Sequence, residues 1–171
     1  MIRSNHGVLQ DWRANSGNPK GQLIMLSFRM AHRARQWHSP AMRPFRSLVG
    51  IVYRINVEWI LGVEIPWKTS IGPNFKVFHG MGTVINDSAI IGRDVTIRHA
   101  VTIGHTAAGG RCPIVGDGVD IGAGAILLGE IHVGNHARIG AGAIVVKNVP
   151  EGASVIGPAS VQIGPSTETE R

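Results

Sequence analysis

His79 is the side chain in this sequence best suited to move a proton. It is followed by Gly80 and, two positions further, by Gly82, which leave room for a substrate or a neighbouring backbone to approach. A neutral imidazole takes a proton from an alcohol, and a carboxylate on its second nitrogen fixes the tautomer and supports the imidazolium that forms. Glu64 lies fifteen residues earlier. Spacing permits that pair without demanding it, and as a class an isolated histidine is more often a packing or surface residue. Cys112 has no base near it in sequence, which favours packing or substrate contact over nucleophilic attack.

Such groups need a scaffold, and one pattern dominates the chain. An aliphatic residue returns every sixth position at Ile85, Ile91, Ile97 and Ile103, then at Val115, Ile121, Leu127, Val133, Ile139 and Val145. Two residues before each stands a mostly small or branched side chain, from Thr83 to Ala143. Residues two apart share one face of a strand. A period of six is the signature of a parallel β-helix, in which each short strand buries its apolar face only by stacking on the next coil. The series breaks twice. Thr106 to Pro113 reads as a loop thrown out of a corner, a natural place for function on a rigid scaffold. Earlier, Ile65, Ile71 and Val77 keep the step of six, but Ile85 comes eight residues later, so two extra residues enter in or near Phe78 to Gly82. The fifteen residues from Glu64 to His79 are close to the eighteen of a three-sided coil, which would bring the two within about one strand spacing. His99 and His105, one hexapeptide apart, fall on different faces, which disfavours a joint metal site within one chain and leaves only ligands shared between copies; no metal is expected.

Ahead of the prism the composition changes. Of 23 glycines only Gly7, Gly17, Gly21 and Gly50 precede residue 60. Residues 1–60 carry nine Lys or Arg against Asp11 and Glu58, so the net charge of +6 resides in that segment. Residues 1–21 read as turns with little to invite a site. Gln22 to Trp37 and about Pro44 to Leu61 have apolar stripes of helical period, with Arg29, Arg33 and Arg35 toward the polar side of the first. These helices are expected to cap the open first coil, and their arginines suit an anionic membrane surface. No aromatic-interleaved or zinc-finger pattern accompanies the charge, so nucleic acid is not an expected partner. One cysteine, no apolar run of membrane-spanning length and no signal-peptide core point to a cytoplasmic protein. The expected division is 1–61 basic helical segment, 62–163 β-helix and 164–171 flexible tail.

Glu64, Phe78-His79-Gly80, Val101 to Gly104, Gly110-Arg111-Cys112-Pro113, Ile121 to Ala125, Ile139 to Gly142 and Gly157 to Ala159 together resemble the serine acetyltransferase branch of the hexapeptide acyltransferases. Within it the chain looks most like the exopolysaccharide acetyltransferases of the colanic acid type. The resemblance implies a left-handed β-helix, a homotrimer, and acetyl-CoA in the cleft between neighbouring prisms. It implies His79 as general base with Glu64 in place of the family's Asp, and a CoA path past Gly104, Ala123 and Ala141, with Arg138 replacing a family Lys near the phosphates. Substrate contacts would come from Phe78, Arg111 and Cys112. Two of these depart from the serine enzymes, where the residue before the base is an Asp that holds the serine amino group and the residue after the loop Arg is a His. An aromatic ring cannot hold an ammonium as a carboxylate does, but it stacks on a sugar. The expected reaction is therefore O-acetylation of a carbohydrate or lipid-linked sugar, with serine as the second acceptor. A bare structural prism is the non-enzymatic alternative.

Overall fold

The computed structural model describes residues 7–107 and 109–158. The expected tail and positions 159–163 of the expected β-helix lie outside them. Fourteen short strands wind as a parallel solenoid with three faces. Face A stacks β1 (Val63–Glu64), β4 (Thr83–Ile85), β7 (Thr102–Gly104), β10 (Ile126–Leu128) and β13 (Ile144–Val145). Face B stacks β2 (Ser70–Ile71), β5 (Ile90–Ile91), β8 (Ile114–Val115) and β11 (His132–Val133). Face C stacks β3 (Lys76–Val77), β6 (Thr96–Ile97), β9 (Asp120–Ile121), β12 (Arg138–Ile139) and β14 (Ser154–Val155). The hexapeptide series forms the interior: Ile97, Ile103, Ile121 and Leu127 are fully buried, as are Val95, Val101, Val119 and Ala125 two residues before each. Each large aliphatic so enclosed contributes about 1.5–3 kcal/mol, which is how strands of two or three residues become stable.

Strand register locates both breaks in the period. Lys76 and Val77 pair with Thr96 and Ile97, twenty residues on, whereas Val84 and Ile85 pair with Thr102 and Ile103, eighteen on. The first turn from face C to face A therefore holds two residues more than the next. Phe78 donates its N–H to Ile97 as Gly122 does to Ile139, and Met81 accepts from Ala100 as His99 does from Gly124. The extra pair is His79-Gly80. Between β7 and β8 the pairings Ile91 with Val115 and Ile103 with Leu127 each span twenty-four residues, so the loop after Gly104 adds six.

The N-terminal segment closes the first coil. Helix α1 (Pro19–Ala34) begins three residues before its expected start and ends three before its expected end. Asn18 caps it by accepting from Gly21 N–H. Ile24, Met25 and Phe28 join the solenoid core. Residues 8–17 run as the expected turns, while the expectation that Arg29 lies toward the polar side of its helix is overturned. Asp11, Asn15 and Arg29 are buried, and together they bond the edge that a preceding coil would otherwise occupy. Asp11 Oδ1 accepts from Phe75 N–H, and Asn15 Oδ1 accepts from Val77 N–H while its amide donates to the Phe75 carbonyl. Arg29 donates to the carbonyls of Ile71 and Gly72 and pairs with Asp11 at 2.6 Å. An unpaired edge is thereby satisfied by side chains. Helix α2 (Arg43–Tyr53) runs on as a π-helical stretch, Arg54–Ile60. Tyr53 anchors this stretch by donating its hydroxyl to the Ile65 carbonyl at 2.5 Å, and burial pushes its pKa up.

Candidate active site

His79 is exposed and has φ +64°. That conformation is not peculiar to it, since Asn74, Asp94, Ala100 and His136 adopt it at other corners; what is peculiar is the two-residue bulge. Gly80 explains the motif locally. A Cβ there would lie 2.9 Å from Val77, 3.2 Å from Val63 and 3.3 Å from Ile24, at φ +66°. Glycine at 80 therefore lets α1 and the first coil close beneath the imidazole, so its room goes to neighbouring protein atoms.

The same corner continues down the prism. Ala100 N–H bonds to the Met81 carbonyl, Gly124 N–H to that of His99, and Gly142 N–H to that of Ala123. His99, Ala123 and Ala141 thus stand in one column below the His79 bulge. The rings of His79 and His99 are 6.2 Å apart, edge to face. Sequence reasoning weighed His99 only as a metal ligand; its twenty-residue distance from His79, a coil plus the insertion, was the available signal of their closeness. Further down, Ala123, Arg138 and Ala141 line a groove of about 350 Å³ with Arg98 and Asp120, which form an ion pair. Ala123 is half-buried and Ala141 exposed at this corner, and the coils behind them pack closely, since a Cβ on Gly122 would lie 2.4 Å from Ala141 N. A ledge of such small residues with Arg138 beside it suits a pantetheine amide chain and its phosphates. Gly104 ends β7 at the opposite corner, its carbonyl accepting from Gly129 N–H.

Of the remaining expected site residues, Glu64, Arg111 and Cys112 lie at or near that opposite corner, and Phe78 lies beside His79. Glu64, on face A beside Val84, forms no hydrogen bond or ion pair with His79 among the described residues. It lines a groove of about 1020 Å³ between α2, the π-helical stretch and the first coil. Burial pushes the neighbouring Glu58 carboxyl up, and Arg54 partly offsets this. Arg111 pairs with Glu130. Cys112 is buried and donates to Asn86 Oδ1 at 3.3 Å; burial and then Asp87 push its thiol pKa up, which disfavours the thiolate a nucleophile needs. Phe78 is half-buried beside His79, and the Lys76 ammonium lies over its ring, 4.6 Å from the centroid. His99 and His105 flank β7 at different corners.

No family model matches the chain. It is 39% identical over 153 residues to WcaB of Escherichia coli, a protein named for acetyl transfer in colanic acid biosynthesis, with 88% of this chain and 94% of WcaB covered. Serine acetyltransferase of Helicobacter pylori is 38% identical over 139 residues, covering 80% of this chain and 77% of that one. The solved soybean serine acetyltransferase apoenzyme superposes with a TM-score of 0.73 at 34% identity, over 88% of this chain and 65% of that one. A serine acetyltransferase complex with CoA gives 0.72 at 31% identity, with 88% and 65% covered. The chain thus spans about two thirds of these solved enzymes and nearly all of WcaB. With a solenoid of the same fold and matches of this length, the chain belongs to the hexapeptide-repeat acyltransferases, in the branch that holds the serine acetyltransferases and WcaB.

Proposed function

We propose that this chain transfers acetyl from acetyl-CoA to a hydroxyl of a carbohydrate acceptor in exopolysaccharide assembly, with His79 as general base. The observation that carries this reading is the His79-Gly80 bulge, which sets an exposed imidazole at the head of the corner column that leads to Ala123 and Ala141. His79 takes the hydroxyl proton as the oxygen attacks the thioester carbonyl; the C–S bond breaks, and the imidazolium returns the proton to the departing thiolate. Backbone N–H groups of the corner are the donors for the developing oxyanion.

Carbohydrate is favoured over serine by charge. The Lys76 ammonium over Phe78 puts a positive charge where an amino-acid acceptor needs a carboxylate for its ammonium. The serine reading retains support from the solved relatives, one of them a complex with serine. Replacing His79 by Ala should abolish turnover, by about 10²-fold or more, while calorimetry still detects CoA. Unchanged kcat in His79→Ala with a verified acceptor would remove the base.

The active assembly in this reading is a homotrimer. Gly104 and Arg111 stand across face A from His79, so a neighbouring copy is what would unite the two halves of the site, and the outer side of face A carries exposed apolar side chains, Val84 on its second coil and Ile144, 64% exposed, on its last. Light scattering on the full chain reads the assembly directly. The trimer works in the cytoplasm against an anionic membrane. Phe45, Leu48 and Val52 are exposed along α2, with Arg43 and Arg46 on the same helix; the buried Arg29 takes no part. Among the described residues no helix is long and apolar enough to cross a membrane, so this contact lies in the interface plane.

A further inference from the structure

We infer that the groove between α2 and the first coil is a subsite for a neutral sugar ring of the acceptor, with Trp59 and Trp67 as its aromatic walls. This rests on the carbohydrate reading above and names where the ring sits. The groove encloses about 1020 Å³, ample for one or two pyranose rings. Trp67 is held in place: its indole packs on the α2 backbone so closely that a Cβ on Gly50 would lie 2.5 Å from the ring, and its carbonyl meets His32 Nδ1 at 2.8 Å. A platform fixed in this way loses little entropy on binding. Trp59, by contrast, is 72% exposed at the rim, an unusual place to leave an indole unless something stacks on it.

Charge selects the class of ligand. Three bases and three acids line the groove, and Arg54 pairs with Glu58 at 3.4 Å and Lys68 with Asp87 at 3.8 Å. Four of the six charges are thus matched within the walls, and the balance is zero. Such a lining draws neither phosphate nor ammonium. It offers fixed acceptors and donors to hydroxyl groups and indole faces to the C–H side of a pyranose, the pairing that a neutral sugar meets best. Position agrees with chemistry. Glu64 forms part of the wall, and Asp87 stands at the corner where Cys112 meets Asn86, beside the loop that the family resemblance assigns to the acceptor.

The test uses the full chain. Methyl glucoside, methyl galactoside and, as an anionic contrast, glucuronate are titrated against indole fluorescence, and acetyl transfer to whichever glycoside is accepted is followed with labelled acetyl-CoA. Trp59 is exposed enough for Trp59→Ala to fold, and an unchanged Tm verifies this. The expected result is a saturable response to neutral glycosides that is lost in Trp59→Phe. Trp59→Ala and Asp87→Asn should each raise the acceptor KM about tenfold, with the KM for acetyl-CoA within about twofold of wild type. If sugars are acetylated but both variants keep the wild-type acceptor KM, the subsite is overturned and the acetyltransferase reading stands. Acetylation of serine alone removes the carbohydrate reading and the subsite together. Protection of Trp59 from acrylamide quenching in the ligand-free oligomer shows a second copy covering the groove, which also overturns the proposal.

Discussion

At the residue scale, the proposed base is an exposed histidine that has no carboxylate partner among the described residues. Glu64 and His79 do not touch within one chain: Glu64 ends β1 beside Val84, across face A from the His79 corner, so the spacing of fifteen does not set them one strand apart as expected. If Glu64 supports the imidazolium once substrates close the site, Glu64→Gln should lower kcat about 10-fold, less than loss of His79, because orientation is only part of the catalytic effect. A pH–rate profile of the variant identical to wild type would take Glu64 out of the mechanism and leave it to the groove wall. Sequence exposed His79 clearly because the break in the hexapeptide period falls on it. It hid two neighbours of that corner. Lys76 reads as one outward position of an ordinary strand, and only the fold shows its ammonium over Phe78. His99 was dismissed as a metal ligand, and its closeness to His79 depends on counting the two inserted residues.

Elements position these groups, and here the sequence was most legible where the chain repeats and least where it caps. The strands up to β13 follow from a six-residue period, since the pattern names their inward residues, whereas β14 comes after the last periodic residue, Val145. The cap has no period. Asp11, Asn15 and Arg29 look like surface residues in a turn and on a helix, and they become structural only because a coil edge needs partners. Asp11→Ala should therefore destabilise the chain by about 3–5 kcal/mol, since it leaves the Arg29 guanidinium buried without its carboxylate; a Tm within about 2 °C of wild type would mean the cap carries little of the fold. A second prediction belongs to the seam between α1 and Trp67. Burial lowers the His32 pKa below its ordinary 6.5. The unfolded chain then binds the proton more readily than the folded one, so stability falls as pH drops below 6.5 and is recovered above it. Melting at about pH 7.5 and about pH 5.5 should show this loss, and His32→Gln should reduce it. An equal drop in the variant assigns the acid sensitivity to other groups.

For the whole molecule, the placement of charge and of exposed apolar side chains is the guide to where it works. The basic excess read from the sequence survives only in part, because Arg29 is spent on Asp11 and coil carbonyls. What remains on α2 is Arg43 and Arg46 beside Phe45, Leu48 and Val52. Near an anionic surface each such arginine is worth about 1 kcal/mol, and in the proposed trimer three copies would add. Flotation with anionic vesicles at low salt should carry the protein up, with the binding reduced by salt and by Arg43→Gln/Arg46→Gln, and neutral vesicles should leave it behind. Absence from anionic vesicles at low salt would end the membrane proposal and leave the chemistry untouched.

The corner column has a further meaning as a ruler. Successive coils lie about 4.8 Å apart, so the steps from the His79 bulge through His99 and Ala123 to Ala141 measure out about 14 Å along the prism axis. A thioester carrier that lies along the column has its reactive end and its anionic end separated by a whole number of coils. Excising one complete eighteen-residue turn between the bulge and Arg138 would keep every inward side chain in register and shorten the gauge by a single division. The chain would still fold, but it would measure a carrier of the wrong length. If a carrier does lie there, its length is selected in steps of one coil, and tuning the gauge calls for gaining or losing a coil.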